Sequence, residues 1–484
     1  MTITTRKKSV ALAVAGVVGL TAAVGATAYA DDESARLTPV DTANAPAPGL
    51  TSPNRLSPEL IQTVRAQGSN VVENPRDGIG YYGYVSVDNN PPLLPVAGGA
   101  SPTEAQKSEP DKNTYLVLRR QTGPDASYNY GSHFLFQGHE AGSPGSVTRV
   151  NLDADADHRV TLLATRDDKG NPLPTFDGST WDPFARKLLM TAEAGCKGGV
   201  WAGDATYRPD GTFNEVPALG KGGYEGIQTA SDGSIWMVED VGGSSPSGTN
   251  AKLAGSFVYR FVPETKGNLT TGTLQALQVL RPSGEPMQTG TDLLSADIKA
   301  LHKLGSSFRT RWVDVHTTTA ANRSETFCAT TAAKSAGATP FKRPENGVFR
   351  PGSRFGEFFF TETGDTNVDS TANADAGGYG GIFRLKQASP SARMGRLNIF
   401  ALGDREHTGF DNLAFATDRH LLVVEDAGDS LHKQRGALDS GFMFDVSKPY
   451  TDEVPMRWLA EGRDPSATLD SSMSEAHTPG FTND

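Results

Sequence analysis

Cysteine and histidine are scarce in this chain of 484 residues, with two of the first and nine of the second. A disulfide-dense scaffold is therefore excluded, and metal chemistry built on Cys and His has few residues to draw on. Positive charge is also short. Lys and Arg number 45 against 56 Asp and Glu, for a formal charge of -11. That balance argues against nucleic acid as a partner, because backbone phosphates demand a basic surface. Beyond the first 30 residues no apolar run is long enough to span a bilayer. Neither a Gly-x-Ser-x-Gly nucleophile elbow nor a Gly-rich phosphate loop ending in Lys occurs.

The N-terminus reads as an export signal. Arg6, Lys7 and Lys8 precede an apolar stretch from Val10 to Thr27, and Ala28-Tyr29-Ala30 offers small residues at a cleavage site before Asp31. Residues 1–30 are thus expected to be a signal peptide cleaved after Ala30, leaving a secreted protein. Residues 31–65, rich in Pro, Ala, Thr and Asp, read as a flexible leader. Residues 66–484 read as one domain, expected to act as a monomer. In an oxidising compartment Cys196 and Cys328 are candidates for a single disulfide.

From about Tyr81 the chain consists of short apolar runs broken by Gly, Pro, Asn and Asp. Tyr115–Leu118, His133–Phe136, Val160–Leu163, Ile235–Val238 and Leu421–Val424 are examples. Such spacing predicts an all-β protein, and a β-propeller accommodates its length as one domain; we expect six blades. Leu294, Ile298, Leu301 and Leu304 recur at helical spacing behind Thr291, which predicts a helix over 292–304 within a helical insertion at 284–338.

Four segments share one grammar: an acid beside a small residue, a strand, a turn, a second strand, and another acid. They begin at Phe176-Asp177-Gly178, Tyr224-Glu225-Gly226, Glu345-Asn346-Gly347 and Phe410-Asp411-Asn412, and end near Glu193, Glu239-Asp240, Glu362 and Glu425-Asp426. Hairpin pairing sets residues symmetric about a turn side by side, so each hairpin carries its acids at the end away from its turn. Arranged as blades, the hairpins would gather these carboxylates on the central axis. Crowded carboxylates repel unless protonated or neutralised by cations. An oxygen-only ligand set selects hard ions, and calcium fits best because it accepts about six to eight oxygens in loose geometry. Glu140, after the strand ending at Gln137-Gly138-His139, is a further candidate, while His139 alone reads as a structural residue. Asp153-Ala-Asp-Ala-Asp157 lacks the turn Gly of a calcium loop and reads as a solvated turn.

The succession Gly138-His139-Glu140, Thr191-Ala192-Glu193, Tyr224-Glu225-Gly226, Val238-Glu239-Asp240, Arg343-Pro344-Glu345 and Phe410-Asp411-Asn412-Leu413 resembles PhoX-type alkaline phosphatases over roughly 138–445. The resemblance implies an exported propeller that hydrolyses small phosphate monoesters with calcium and an iron centre. It implies metal ligation by Glu193, Glu225, Asp240 and Glu345, with Asp411 and Asp426 joining from the repeat and Arg343 on the substrate phosphate. Glu225 and Arg343 would be the catalytic pair. Glu239, Glu362, Asn412 and Glu425 are further candidates. Where the family places an iron-binding Cys this chain has Ala192, so calcium is the expected cofactor and iron lacks its thiolate. Two other readings remain open at this level: a calcium-dependent lactonase or esterase, for which Asp411-Asn412 would serve, and a non-catalytic propeller that calcium only staples.

Overall fold

The structure is a computed structural model and describes residues 37–41, 54–85, 93–94, 103–104, 106–450 and 454–461. The expected signal peptide and most of the leader lie outside the described residues.

Among the described residues five antiparallel units of four strands follow one another around an axis. Blade 1 comprises Thr114–Val117, His133–Gly138, Val147–Asn151 and Val160–Ala164. Blade 2 runs from Ser179–Asp182 to Phe213–Glu215, and blade 3 from Tyr224–Thr229 to Gly272–Leu280. Blade 4 runs from Pro344–Phe349 to Met394–Leu402, and blade 5 from Phe410–Phe415 to Met456–Ala460. The first strand of each of blades 2 to 4 packs against the first strand of the next. Asn412 Nδ2 donates to Asp111 Oδ1 at 3.4 Å, which joins blade 5 to blade 1. The all-β expectation holds, and among the described residues five blades are seen where six were expected. The strand after blade 3 was expected to belong to an insertion, whereas it adds to that blade's own sheet.

That strand, Phe308–Thr318, pairs along its length with Gly272–Leu280 and at Phe308–Arg311 with Met394–Leu402. It joins blades 3 and 4 into one nine-stranded sheet. The region 284–338 is therefore as much strand as helix. Its first helix, α1 (Ala296–Leu301), is shorter than the predicted 292–304, because Ser295 supplies the cap by accepting from the Ile298 amide at 3.3 Å. Thr291 instead donates to the Gln288 carbonyl. The second helix, α2, spans Ala329–Ser335. The chain also closes outward from its N-terminal side, where Arg55–Leu56 pairs with Leu459–Ala460 at the edge of blade 5.

The blades hold together through aromatic packing between their faces. Trp236 of blade 3 meets Trp312, Phe349 and Phe358 at centroid separations of 4.9 to 5.0 Å. Edge-on and tilted contacts of this kind add about 0.5–1.5 kcal/mol each beyond the area they bury. Local turns follow the sequence closely. Asp232 accepts from the Ser234 amide at 3.0 Å, and Gly233 takes the left-handed φ of 84° that completes the hairpin. Asp153 likewise ends in a turn, accepting from the Ser132 and His133 amides at 2.7 and 3.1 Å.

Candidate metal centre

A β-bulge recurs at the axial end of blades 3, 4 and 5. Tyr224 pairs with Glu239 but Ile227 with Met237, so Glu225 and Gly226 together face one residue. The same slip separates Pro344 from Gly347 and Phe410 from Leu413. A bulge re-aims side chains that regular pleating would send elsewhere. Here it directs Glu225, Glu345 and Asp411 toward one point.

A backbone bond repeats beside each bulge. The amides of Asp240, Thr363 and Asp426 donate to the carbonyls of Gly223, Arg343 and Gly409, in each case two residues before the bulge acid. In blade 1 the Glu140 amide makes the equivalent bond to Glu109, which identifies Asp111 as the corresponding acid. With Asp177 ahead of blade 2, each blade supplies one carboxylate to a first ring: Asp111, Asp177, Glu225, Glu345 and Asp411. The ends of the second strands supply a second ring of Glu140, Glu193, Asp240, Thr363 and Asp426. Its one neutral member, Thr363, donates its hydroxyl to Glu345. Hydroxyls stitch successive blades at this level, with Thr191 donating to the Glu225 carbonyl and Thr361 to the Asp411 carbonyl, both at 2.7 Å.

The acids crowd closely. Asp111, Glu140, Asp177 and Glu225 each offer an oxygen within 4.8 Å of the others, and so do Glu225, Glu345 and Asp411, with Glu225 shared. Asp177 is 1% exposed, yet neither of its carboxylate oxygens has a hydrogen-bond partner, and Asp111 Oδ2 has none. Burial, reinforced by Glu225 and Asp111, holds the Asp177 carboxyl far above its ordinary value. Burial and Glu345 do the same to Glu225, and burial and Asp240 to Glu345. Burial and Asp111 raise Glu140 to about 8, and burial with Asp240 raises Glu193 to about 7. Only protons or cations relieve such a cluster. Buried carboxylate oxygens without donors are what an oxygen-ligated cation requires, so the residues present fit a hard metal ion.

Arg343 sits at the rim of the cluster. Its Nε donates to Asp240 Oδ2 at 2.7 Å, and its Nη2 lies 3.5 Å from Glu345 Oε1. Burial opposes its charge, but Glu345 and Asp240 outweigh that and raise its pKa. The guanidinium is permanently charged.

Three predicted site residues are not part of the centre. Glu239 accepts from the Phe257 amide at 3.2 Å, from the Tyr259 hydroxyl at 2.9 Å and from Thr330. Glu362 accepts from the Lys342 amide and lies 2.8 Å from His302 Nε2. Glu425 pairs with Arg435 at 2.8 Å and accepts from the Thr408 and Ser440 amides. All three lie opposite Tyr224, Pro344 and Phe410 in the regular part of the hairpin, so they point into the blade. Asn412 remains at the centre, where its amide donates to Asp411 Oδ2 at 2.9 Å. His139 is structural as expected: Ser108 and Thr148 hold its two nitrogens at 2.8 and 2.9 Å, and burial lowers its pKa to about 3.

Asp111 was missed, and Asp177 was seen only as part of the repeat. The signal for Asp111 was weak, because blade 1 joins its first two strands through the long segment 118–132 rather than a tight turn.

Comparison with known proteins decides the family. The sequence profile of the family described as alkaline phosphatase PhoX matches residues 225–476, just over half of the chain, beginning at the first bulge acid. The chain belongs to the PhoX alkaline phosphatase family. Among curated proteins no match is found. Solved structures similar in outline include the hydrazine synthase of Kuenenia stuttgartiensis, at 11% identity and a TM-score of 0.28 over 70% of this chain and 79% of that one. The PQQ-bound aldose sugar dehydrogenase of Streptomyces coelicolor is another, at 12% identity and 0.26 over 72% and 99%. At such scores these likenesses carry no functional argument.

The PhoX resemblance also brings in iron, and here one expected ligand, the thiolate, is missing. Ala192 is apolar, and Cys196 is joined to Cys328 across 132 residues, with Cα atoms 5.0 Å apart. No free cysteine occurs among the described residues. A thiolate ligand is therefore not on offer, and the candidate ligands are carboxylates, with Asn412 and Thr363 beside them.

Proposed function

We propose that the protein is an exported, calcium-dependent phosphomonoesterase whose chemistry takes place at the two acid rings. The observation that carries this reading is the buried, donor-free carboxylate of Asp177 within a ring of one acid per blade, beside the fixed charge of Arg343. Asp111, Glu140, Asp177, Glu225, Glu345 and Asp411 would hold the metal ions, with Glu193, Asp240 and Asp426 in the outer ring. Bound cations would supply Lewis-acid polarisation of the phosphoryl oxygens.

The chain's own residues perform the remaining tasks. Arg343 offers a planar fork of donors to two phosphoryl oxygens, and its contact with Asp240 fixes the plane of that fork before substrate arrives. Glu225, shared by both acid groups and tied through its carbonyl to Thr191, couples them geometrically. Thr363 holds Glu345 through its hydroxyl. Export is supported by the disulfide, which persists in oxidising compartments. No helix among the described residues is long and apolar enough to cross a membrane.

The test is hydrolysis of p-nitrophenyl phosphate by the purified protein. Activity should vanish on chelation and return with calcium alone. A protein that binds calcium but hydrolyses no phosphate ester, with or without added iron, would overturn the catalytic reading.

A further inference from the structure

The residue two places before the first-ring acid takes a left-handed φ in three blades: 49° at Glu109, 56° at Arg343 and 74° at Gly409. Glycine adopts that conformation without strain, as in blade 5, whereas a residue with a Cβ does not. Arg343 is disfavoured twice over, because Pro344 follows it and pushes the preceding residue toward extended backbone. Such strain persists only where the surroundings over-determine it, and it gathers where a side chain has a task.

Three contacts hold this backbone. The Arg343 carbonyl accepts from the Thr363 amide at 3.0 Å, and the Lys342 amide donates to Glu362 Oε1 at 2.8 Å. The third is an ion pair between buried side chains, with Lys342 Nζ 2.8 Å from Asp365 Oδ1 and 2.9 Å from its Oδ2. Asp365 is fixed in turn. Its Oδ1 accepts from the Lys252 amide at 2.8 Å and its Oδ2 from the Ser370 hydroxyl at 2.6 Å.

These contacts close a circuit. The loop that leaves blade 3 at Asp240, whose carboxylate takes the Arg343 guanidinium, runs on to Lys252, whose amide Asp365 holds. From Asp365 the path returns through Lys342 to the Arg343 backbone. Asn250 fastens the same loop to blade 4, accepting from the Thr371 amide and hydroxyl at 2.7 and 2.6 Å. Arg343 is thus tied at both its backbone and its tip.

We propose that Asp365 is a positioning residue for phosphate recognition: through Lys342 and the Lys252 amide it keeps Arg343 in its strained backbone and aimed before substrate arrives. The inference rests on Arg343 gripping the substrate phosphate, and a double-mutant cycle keeps the two apart. For wild type, Asp365→Asn, Arg343→Ala and the variant with both changes, kcat and KM are measured on p-nitrophenyl phosphate, with inhibition by inorganic phosphate. Asp365→Asn should lower kcat/KM and weaken phosphate inhibition, each about tenfold, as a modestly misplaced binding group does. Arg343→Ala should lose about 10²–10³-fold in kcat/KM, and adding Asp365→Asn to it should cost nothing more. Calcium bound per chain should be the same in Asp365→Asn as in the wild type. If Asp365→Asn does not fold because it leaves the Lys342 charge buried, Lys342→Met with Asp365→Asn removes both charges and should show the same loss, again dependent on Arg343.

Wild-type kcat/KM in either folded variant overturns the proposal. A loss as large in the Arg343→Ala background as in the wild type, or a loss of calcium from Asp365→Asn, overturns it as well. Arg343→Ala with unchanged kcat/KM and unchanged phosphate inhibition sinks the phosphate reading of Arg343 itself, and this proposal with it.

Discussion

Glu239 and Asp240 are adjacent in sequence, as are Glu425 and Asp426, yet each pair divides between two different environments. The first member of each is turned into its blade, where amides, hydroxyls or an arginine occupy its oxygens. The second belongs to the outer acid ring, where Asp240 bears on Glu193 and Glu345, and Asp426 on Glu140 and Asp411. Alternation along a strand sends neighbours to opposite sides: Glu239 and Asp240 are both buried, whereas Glu425 is buried and Asp426 exposed. What distinguishes them is what faces them. Glu239 and Glu425 are enclosed by amides, hydroxyls or an arginine that maintain the fold, whereas Asp240, although it accepts from the Gly242 amide and from Arg343, also lies against the ring acids Glu193 and Glu345. Asp177, whose two oxygens have no hydrogen-bond partner, is the ring acid that keeps both for a cation.

Exchanging members of the two classes breaks the comparison most directly. Glu225→Gln is isosteric, and it removes a charge from a cluster that suffers from too many. Phosphatase activity should fall by about 10²–10³-fold, the scale of losing one electrostatic stabiliser. The melting temperature of the metal-free protein should hold or rise. Glu425→Ala should do the reverse. It removes the closer partner of the buried Arg435 and leaves the 3.4 Å contact with Asp439, so the loss should fall below the roughly 3–5 kcal/mol of breaking an isolated buried pair. The surviving folded fraction should keep its turnover. Activity assays paired with urea melts check both, and equal losses of activity and stability in the two variants would erase the distinction.

Much of this was legible in the sequence, and the exceptions have physical causes. Asp177, Glu225, Glu345 and Asp411 stood out because each follows an aromatic residue or proline and precedes Gly or Asn, at the start of a β-hairpin. Glu362 was misplaced because symmetry about a turn assumes an unbroken ladder, and the bulge shifts it by one residue. Symmetry set Asp240 and Asp426 against Glu225 and Asp411; Glu239 and Glu425 were candidates only as their neighbours in sequence. A bulge has no signature in composition, although its recurrence beside Gly226, Asn346 and Asn412 follows once the pairing is known. Asp111 escaped because blade 1 has no short hairpin to measure from. Strand Phe308–Thr318 was hidden in the expected insertion, because its helix-flanked position disguised an edge strand shared by two blades.

A smaller effect is expected at the disulfide. Cys196 follows Glu193 by three residues and ties that rim to Cys328 at the start of α2. The double substitution Cys196→Ser with Cys328→Ser should lower stability by about 2–4 kcal/mol through the unfolded chain. Because no thiolate serves the centre, calcium bound per folded chain should stay the same. A loss of metal alongside the loss of stability would assign the cysteines a part in the centre after all.

The mildest test uses pH. Glu140 and Glu193 carry folded-state values of about 8 and about 7 against an ordinary 4.5, so between those limits the metal-free native state binds more protons than the unfolded chain. Their contribution to stability is whole below about pH 4.5 and is lost as pH rises through 7 to 8. Glu239 and Glu425, raised by burial to about 7, act in the same direction. The chelated protein should therefore melt at progressively lower temperature from pH 5 to pH 8, whichever class of acid dominates. Calcium separates the classes. It competes with protons only for the ring acids, so the melting-temperature gain on adding calcium should grow over the same interval. Replacing Glu140 by Gln should blunt that growth, whereas Glu239→Gln should leave it and flatten only the chelated curve. A calcium gain independent of pH would mean that the cation binds away from the rings.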